Sequence, residues 1–175
     1  MEQIKQFIQK NMDQIRYIKK EEVIYSPELR WYCEKNQCGM YHQTWVCPPG
    51  VGSVAALKQQ YISFPSAIFF AKTFHLEDQF DIDSMNEARK TMNTLAKQIN
   101  QLILENKLKA KVLGFGGCDI CNKCTYPLEP CRYPDRALPS LEAIGINVSE
   151  TALACRMIYY HGPKTVTYFG MVFYE

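Results

Sequence analysis

Apolar residues recur at helical spacing from the first turn of the chain. Ile4, Phe7, Ile8, Met12, Ile15 and Ile18 fall on one side of a helical projection, with Gln and Lys on the other, which predicts a surface helix over residues 3–20. Pro27 closes anything helical before it. Residues 30–53 lose all periodicity and read as loop, and residues 54–61 predict a short helix. SAIFFAKTFHL, 66–76, predicts a strand from its aromatic and apolar content. Ser84 and Glu87 match a capping box. Behind them Ala88, Met92, Leu95, Ala96, Ile99, Leu102 and Ile103 form one stripe, predicting a helix to about Lys107. AKVLGF, 110–115, reads as a short strand and SLEAIGINV as a helical turn broken at Gly145. SETALACRMI, 149–158, reads as a helix, HGP as a turn, and TVTYFGMVFY, 165–174, as a closing strand.

Strands alternate with helices, so the expected fold is α/β or α+β. The expected architecture is a small mixed sheet flanked by helices, with cysteine-rich metal-binding loops at one end. A length of 175 residues fits a single domain, 1–175, holding two cysteine-rich segments at 30–53 and 114–136. Hydrophobic residues make up 47% and charged residues 22%, an ordinary globular balance that can fold without disulfide staples. The net charge of +2 gives no electrostatic reason to expect nucleic acid or an anionic membrane as partner. No apolar run reaches the ~18 residues of a membrane span. The opening MEQIKQFIQKNMDQI is broken by charge and lacks the apolar core of a secretory signal, so the expected location is cytoplasmic.

That location changes the meaning of eight cysteines. In a reducing compartment, clustered thiols are metal or redox ligands more often than disulfides. CDICNKC places Cys118, Cys121 and Cys124 two residues apart, and Cys131 follows after six more. Structural zinc pairs two separated C-x2-C knuckles. A consecutive C-x2-C-x2-C run with a further cysteine is the ferredoxin-like way to wrap a [4Fe-4S] cluster. Iron–sulfur is therefore favoured over zinc, and zinc over disulfides or free thiols. Lys123, Arg132 and Arg136 lie near in sequence and oppose the cluster's negative charge, although Asp119 and Glu129 act the other way. Gly116 and Gly117 would let backbone N–H groups approach the sulfurs. GFGG lacks the third glycine of a dinucleotide site.

Cys33, Cys38 and Cys47 form a second set with no obvious fourth member. Cys155 or His42 could complete it, or one iron could stay open and act on substrate as a Lewis acid. The third option is that these are buried structural thiols. Cys155 alone reads as a small core residue, and His75 as a structural histidine. No Ser/His/Asp grouping and no H-E-x-x-H motif is present.

Two stretches together resemble a known group: WYCEKNQCGMYHQTWVCPPGV, then CDICNKCTYPLEPCRYPDRALPSLEAIGINV. They are similar to the DUF2284 family of predicted metal-binding proteins of anaerobic bacteria and archaea, over about residues 30 to 175. The most specific part is the C-x2-C-x2-C-x6-C-R-x-P run followed by PSLEAIGINV. The resemblance implies metal binding at Cys118, Cys121, Cys124 and Cys131, and at Cys33, Cys38 and Cys47; it supplies no reaction. Three functions follow as expectations. The first is a [4Fe-4S] protein exchanging electrons with a redox partner protein. The second is an enzyme using an open iron at Cys33, Cys38 and Cys47 on a small-molecule substrate. The third is a binding or assembly module stapled by structural zinc.

Overall fold

The structure, a computed structural model, describes all residues 1–175. Four strands form one sheet in the order β1-β2-β4-β3, comprising β1 (Gln14–Lys19), β2 (Ser66–His75), β3 (Ala110–Val112) and β4 (Thr165–Tyr174). Every ladder is antiparallel, so the sheet is not mixed, and the fold is α+β. The one parallel pairing is an isolated bridge between Gly114 and Ser140. The two central strands, β2 and β4, pair over ten residues, from Ser66 opposite Tyr174 to His75 opposite Thr165.

Burial on both faces explains the continuous apolar run in β2. Ala67, Phe69 and Ala71 face one core with Phe169, Met171 and Phe173. Ile68 and Phe70 face the other with Val172 and Val112. The second core is covered by α1 (Glu2–Asn11) and the long α4 (Ile82–Glu105), whose Met92, Ala96, Ile99 and Ile103 are buried there. The first core is covered by α5 (Val148–Ala154) and the 3-10 turn at Glu142–Ile144, with Tyr61 of α3 (Val54–Tyr61). The turn ends at Gly145, whose φ of 85° is the left-handed conformation that glycine adopts without strain. No helix is long and apolar enough to cross a membrane.

The helix expected over residues 3–20 stops at Asn11 and gives way to β1. The break is at Met12, which is extended at φ −116° and ψ 150°. The Asp13 carboxylate then accepts from the Thr73 N–H at 2.7 Å, and six residues pair with β2. Ile15 and Ile18, three apart, would share a helix face. In the strand they point to opposite sides: Ile18 joins the first core and Ile15 packs on the second. Pairing with a distant strand overrode a local helical coincidence. Helix α4 also starts earlier than expected. Its cap is Asp81, which accepts from the Ser84 N–H at 3.0 Å.

Candidate metal centre

Strand β3 is only three residues long, and the chain leaves it at once for the second cysteine segment. Leu113 makes one more bond to β4, donating to the Met171 carbonyl at 3.0 Å. Helix α4 takes over from there. Asn93 sits on its buried stripe and holds both peptide groups of Phe115. Its amide donates to the Phe115 carbonyl at 2.8 Å, and its own oxygen accepts from the Phe115 N–H at 2.9 Å. Asn100, one heptad further, donates to the Asp135 carbonyl at 2.8 Å. Lys97, between them, pairs with Asp119 at 2.7 Å. Residues 93, 97 and 100 share one helix face, so a rigid helix holds the cysteine loop at Phe115, Asp119 and Asp135. Sequence reasoning missed these residues. The available signal was two asparagines seven apart within an apolar stripe.

Inside that grip, Cys118, Cys121, Cys124 and Cys131 line one cavity with Trp45, Val46, Ile120 and Tyr133. All four cysteines are partly buried. The cavity leaves about 20 Å³ open to the centre of a water molecule. For a round hollow that means a radius of ~3 Å once the ~1.4 Å radius of water is added. A single zinc ion with sulfurs at ~2.3 Å would leave no such space. In keeping with this, no three His, Cys, Asp or Glu side chains gather closely enough to hold one ion. The four thiols form a soft donor set of the kind that holds a metal ion or a metal cluster.

Burial raises the Cys118 thiol above its ordinary pKa, while the Ile120 N–H, which donates to its sulfur, offsets part of the rise. Of the three basic residues expected to oppose cluster charge, only Arg132 lines the cavity, and it also donates to the Lys123 carbonyl at 3.0 Å. Arg136 lies over the Tyr133 ring at 5.3 Å. Gly117 has a different role from the one its sequence suggests. A Cβ there would fall 2.6 Å from Met40 Sδ, so glycine admits the first cysteine segment against the second.

The first segment begins in α2 (Arg30–Glu34), which carries Cys33. A series of turns follows. Asn36 Oδ1 accepts from the Tyr41 N–H at 3.0 Å, His42 N–H donates to the Pro48 carbonyl at 3.0 Å, and Cys47 N–H donates to the Thr44 carbonyl at 3.3 Å. Cys33 is partly buried, Cys38 exposed and Cys47 buried. The three stand near enough for Cys38 to act on both others and for Cys33 to feel Cys47. Burial raises the Cys33 and Cys47 thiols. The Arg30 guanidinium opposes the rise at both. Arg30 and Cys33 are one helical turn apart, on the same face. Arg30 Nη2 donates to the Gly52 carbonyl at 3.0 Å, yet its buried Nε has no partner, and neither does the buried Thr44 Oγ1 in good alignment. Two of the three orphaned polar side-chain atoms in the protein therefore flank this set.

The two sets adjoin. Cys47 feels the charge of Cys124 as well as Cys38. Trp45 packs edge-on against Tyr126 with centroids 4.9 Å apart, and its indole N–H donates to the Glu129 carbonyl at 3.1 Å. His42 reaches the Tyr126 hydroxyl with Nδ1 at 3.5 Å and lies edge-on to Tyr41. Cys155 is elsewhere, in the first core, and its charged neighbours are Glu22 and Arg16. His75 is exposed at the end of β2. No curated protein and no solved structure matches the chain. The DUF2284 family, described as a predicted metal-binding protein, matches residues 16–174, and the chain belongs to that family.

Proposed function

We propose that the loop 114–136 holds a [4Fe-4S] cluster on Cys118, Cys121, Cys124 and Cys131, and that the protein serves electron transfer or redox chemistry in the cytoplasm. One observation carries this reading: four thiols from one short loop line a single hollow wider than one ion needs. When bound, such a cluster supplies one-electron transfer. The chain's own residues do the rest. Trp45, Val46 and Tyr133 line the hollow with apolar and aromatic surface. Ile120 N–H and Arg132 favour the anionic thiolates. A redox partner would meet the cluster at the rim formed by residues 127–131, where Leu128 is 92% exposed.

A second reading adds a group at Cys33, Cys38 and Cys47 with one open iron that acts on a small substrate. The orphaned Arg30 Nε and Thr44 Oγ1 favour it, because a negatively charged group beside these thiols would satisfy both. The adjacency of Cys47 and Cys124 would let the 118–131 cluster feed electrons to it.

The test is iron, zinc and acid-labile sulfide on protein purified without oxygen. Iron and sulfide in near-equal amounts support the reading, with ~4 irons per chain for one cluster and ~8 for two. Zinc without sulfide overturns it and leaves a structural staple. Cys121→Ser is expected to remove the 118–131 cluster; retention of full iron and sulfide by that variant would refute the ligand assignment.

A further inference from the structure

A second cavity, of about 300 Å³, opens on the other side of the GFGG turn. Its size is that of a small-ligand site. Its aromatic surface is Tyr159, 52% exposed and stacked on the buried Phe169 at 5.4 Å and 17°. Arg89 and Glu142 are its charged residues. They are not paired with each other, and neither joins any ion pair of the protein.

The placement of Arg89 follows from the helix. It lies one turn before Asn93, on the same face of α4. Asn93 is locked to Phe115 by two buried hydrogen bonds, so the turn and the guanidinium are held in one rigid frame. Gly116, at φ +74°, lets the Arg89 stem lie against the backbone; a Cβ there would come within 3.3 Å of Arg89 Cδ. The cavity holds no cysteine, but two of its residues lie near the cysteine sets. Gly116 is two residues from Cys118, and the charge of Glu142 reaches Cys33.

We infer that this cavity binds a small monocarboxylate with a flat apolar body. The carboxylate seats on Arg89, whose planar fork matches it in two hydrogen bonds. The apolar body lies against the Tyr159 ring, which Phe169 backs. Glu142 at the rim repels a second negative charge, which selects against dicarboxylates. The inference needs no particular metal, so it stands or falls separately from the cluster assignment.

Calorimetric titration of the protein as isolated without oxygen, using benzoate and succinate, tests it. Benzoate is expected to bind saturably with a Kd of about 1 mM, and succinate more weakly. Arg89→Met is expected to weaken benzoate binding by at least ~10-fold, since a charge-assisted pair is lost. Glu142→Gln is expected to narrow the gap between the two acids. Absence of saturable benzoate binding, or equal binding by wild type and Arg89→Met, overturns the site. An unchanged preference in Glu142→Gln overturns the selectivity assigned to that residue. Circular dichroism of both variants confirms that the fold is kept.

Discussion

Asn93→Ala tests the grip of α4 on the cysteine loop. The native amide closes two hydrogen bonds on Phe115, at 2.8 and 2.9 Å, and Asn93 is only 6% exposed. Alanine removes both partners and leaves a backbone N–H and a C=O buried without replacement. Each such loss costs about 1–3 kcal/mol, so the variant should lose about 2–6 kcal/mol of loop stability. Asn100→Ala removes one bond, only partly buried, and should cost about 1–2 kcal/mol. Lys97→Met removes an ion pair whose side chains are 41% and 46% exposed, worth about 0–1 kcal/mol. The order Asn93, Asn100, Lys97 is therefore the prediction. Native-state hydrogen exchange reads it directly, because a loss of ~1.4 kcal/mol speeds exchange about tenfold where opening is in rapid equilibrium. The Phe115 amide should exchange at least ~30-fold faster in Asn93→Ala and nearly as in wild type in Lys97→Met. Equal exchange of Phe115 in Asn93→Ala and wild type would refute the account, since the helix would then not be what holds the loop.

Other substitutions separate the metal ligands from their surroundings. Cys155→Ala should cost about 1 kcal/mol in urea unfolding and leave metal content unchanged, because the residue packs in the first core; metal loss would instead make it a ligand. If the first set holds a cluster as proposed, Arg30→Met should lower its iron or shift its reduction potential while sparing Cys118–Cys131, and an unchanged iron count and potential would show the orphaned Nε to be idle. The Tyr25 hydroxyl is buried without a partner, and burial pushes its pKa up to about 12. The neutral form is thus favoured in the folded state, so Tyr25 contributes stability that is full below pH ~10 and lost as pH rises toward about 12. Tyr25→Phe should match or exceed wild-type stability at pH 7 and shift the alkaline unfolding limb upward; a loss of more than ~1 kcal/mol at pH 7 would mean the hydroxyl has a partner after all.

Elements with a strong local period were legible in the sequence. The α4 stripe, the β2 run and the closing β4 strand lie where their periodicity puts them. Residues 14–19 misled because their isoleucines satisfy a helical spacing while the deciding contact, the ladder to β2, is distant in sequence, from Lys19 opposite Ser66 to Gln14 opposite Ala71. The second cysteine loop was legible for the opposite reason: its four thiols are close in sequence, so a short loop brings them to one cavity. The first set was legible only as a list of residues. That it lies beside Cys124 depends on Met40 packing at Gly117 and on Trp45 packing against Tyr126, and neither contact has a local signature. The asparagines of α4 were hidden by their own polarity. A search for apolar periodicity skips them, although a polar residue kept on a buried stripe needs a partner, and that partner is the functional loop.

The same contacts bear on how the protein would use two metal sites. The sheet supplies only the exit point of one loop, at β3. Everything that positions the thiols is a polar grip from α4 or a close approach between the two segments. A Cβ at Gly50 would strike the Thr44 carbonyl at 2.7 Å and the Tyr126 ring at 2.8 Å, so the fit is as tight on that side as at Gly117. The fit places Cys47 near enough to Cys124 for a negative charge on one to disfavour ionisation of the other. Under the proposed cluster assignment, an electron arriving at Cys118–Cys131 would alter the potential of a group at Cys33, Cys38 and Cys47 through space. The carboxylate cavity, bounded by Gly116 on one side and Glu142 on the other, sits where a bound anion would act on both. If both sets hold clusters as proposed, carrier and enzyme would be two uses of one arrangement, separated by whether the second set keeps an open iron.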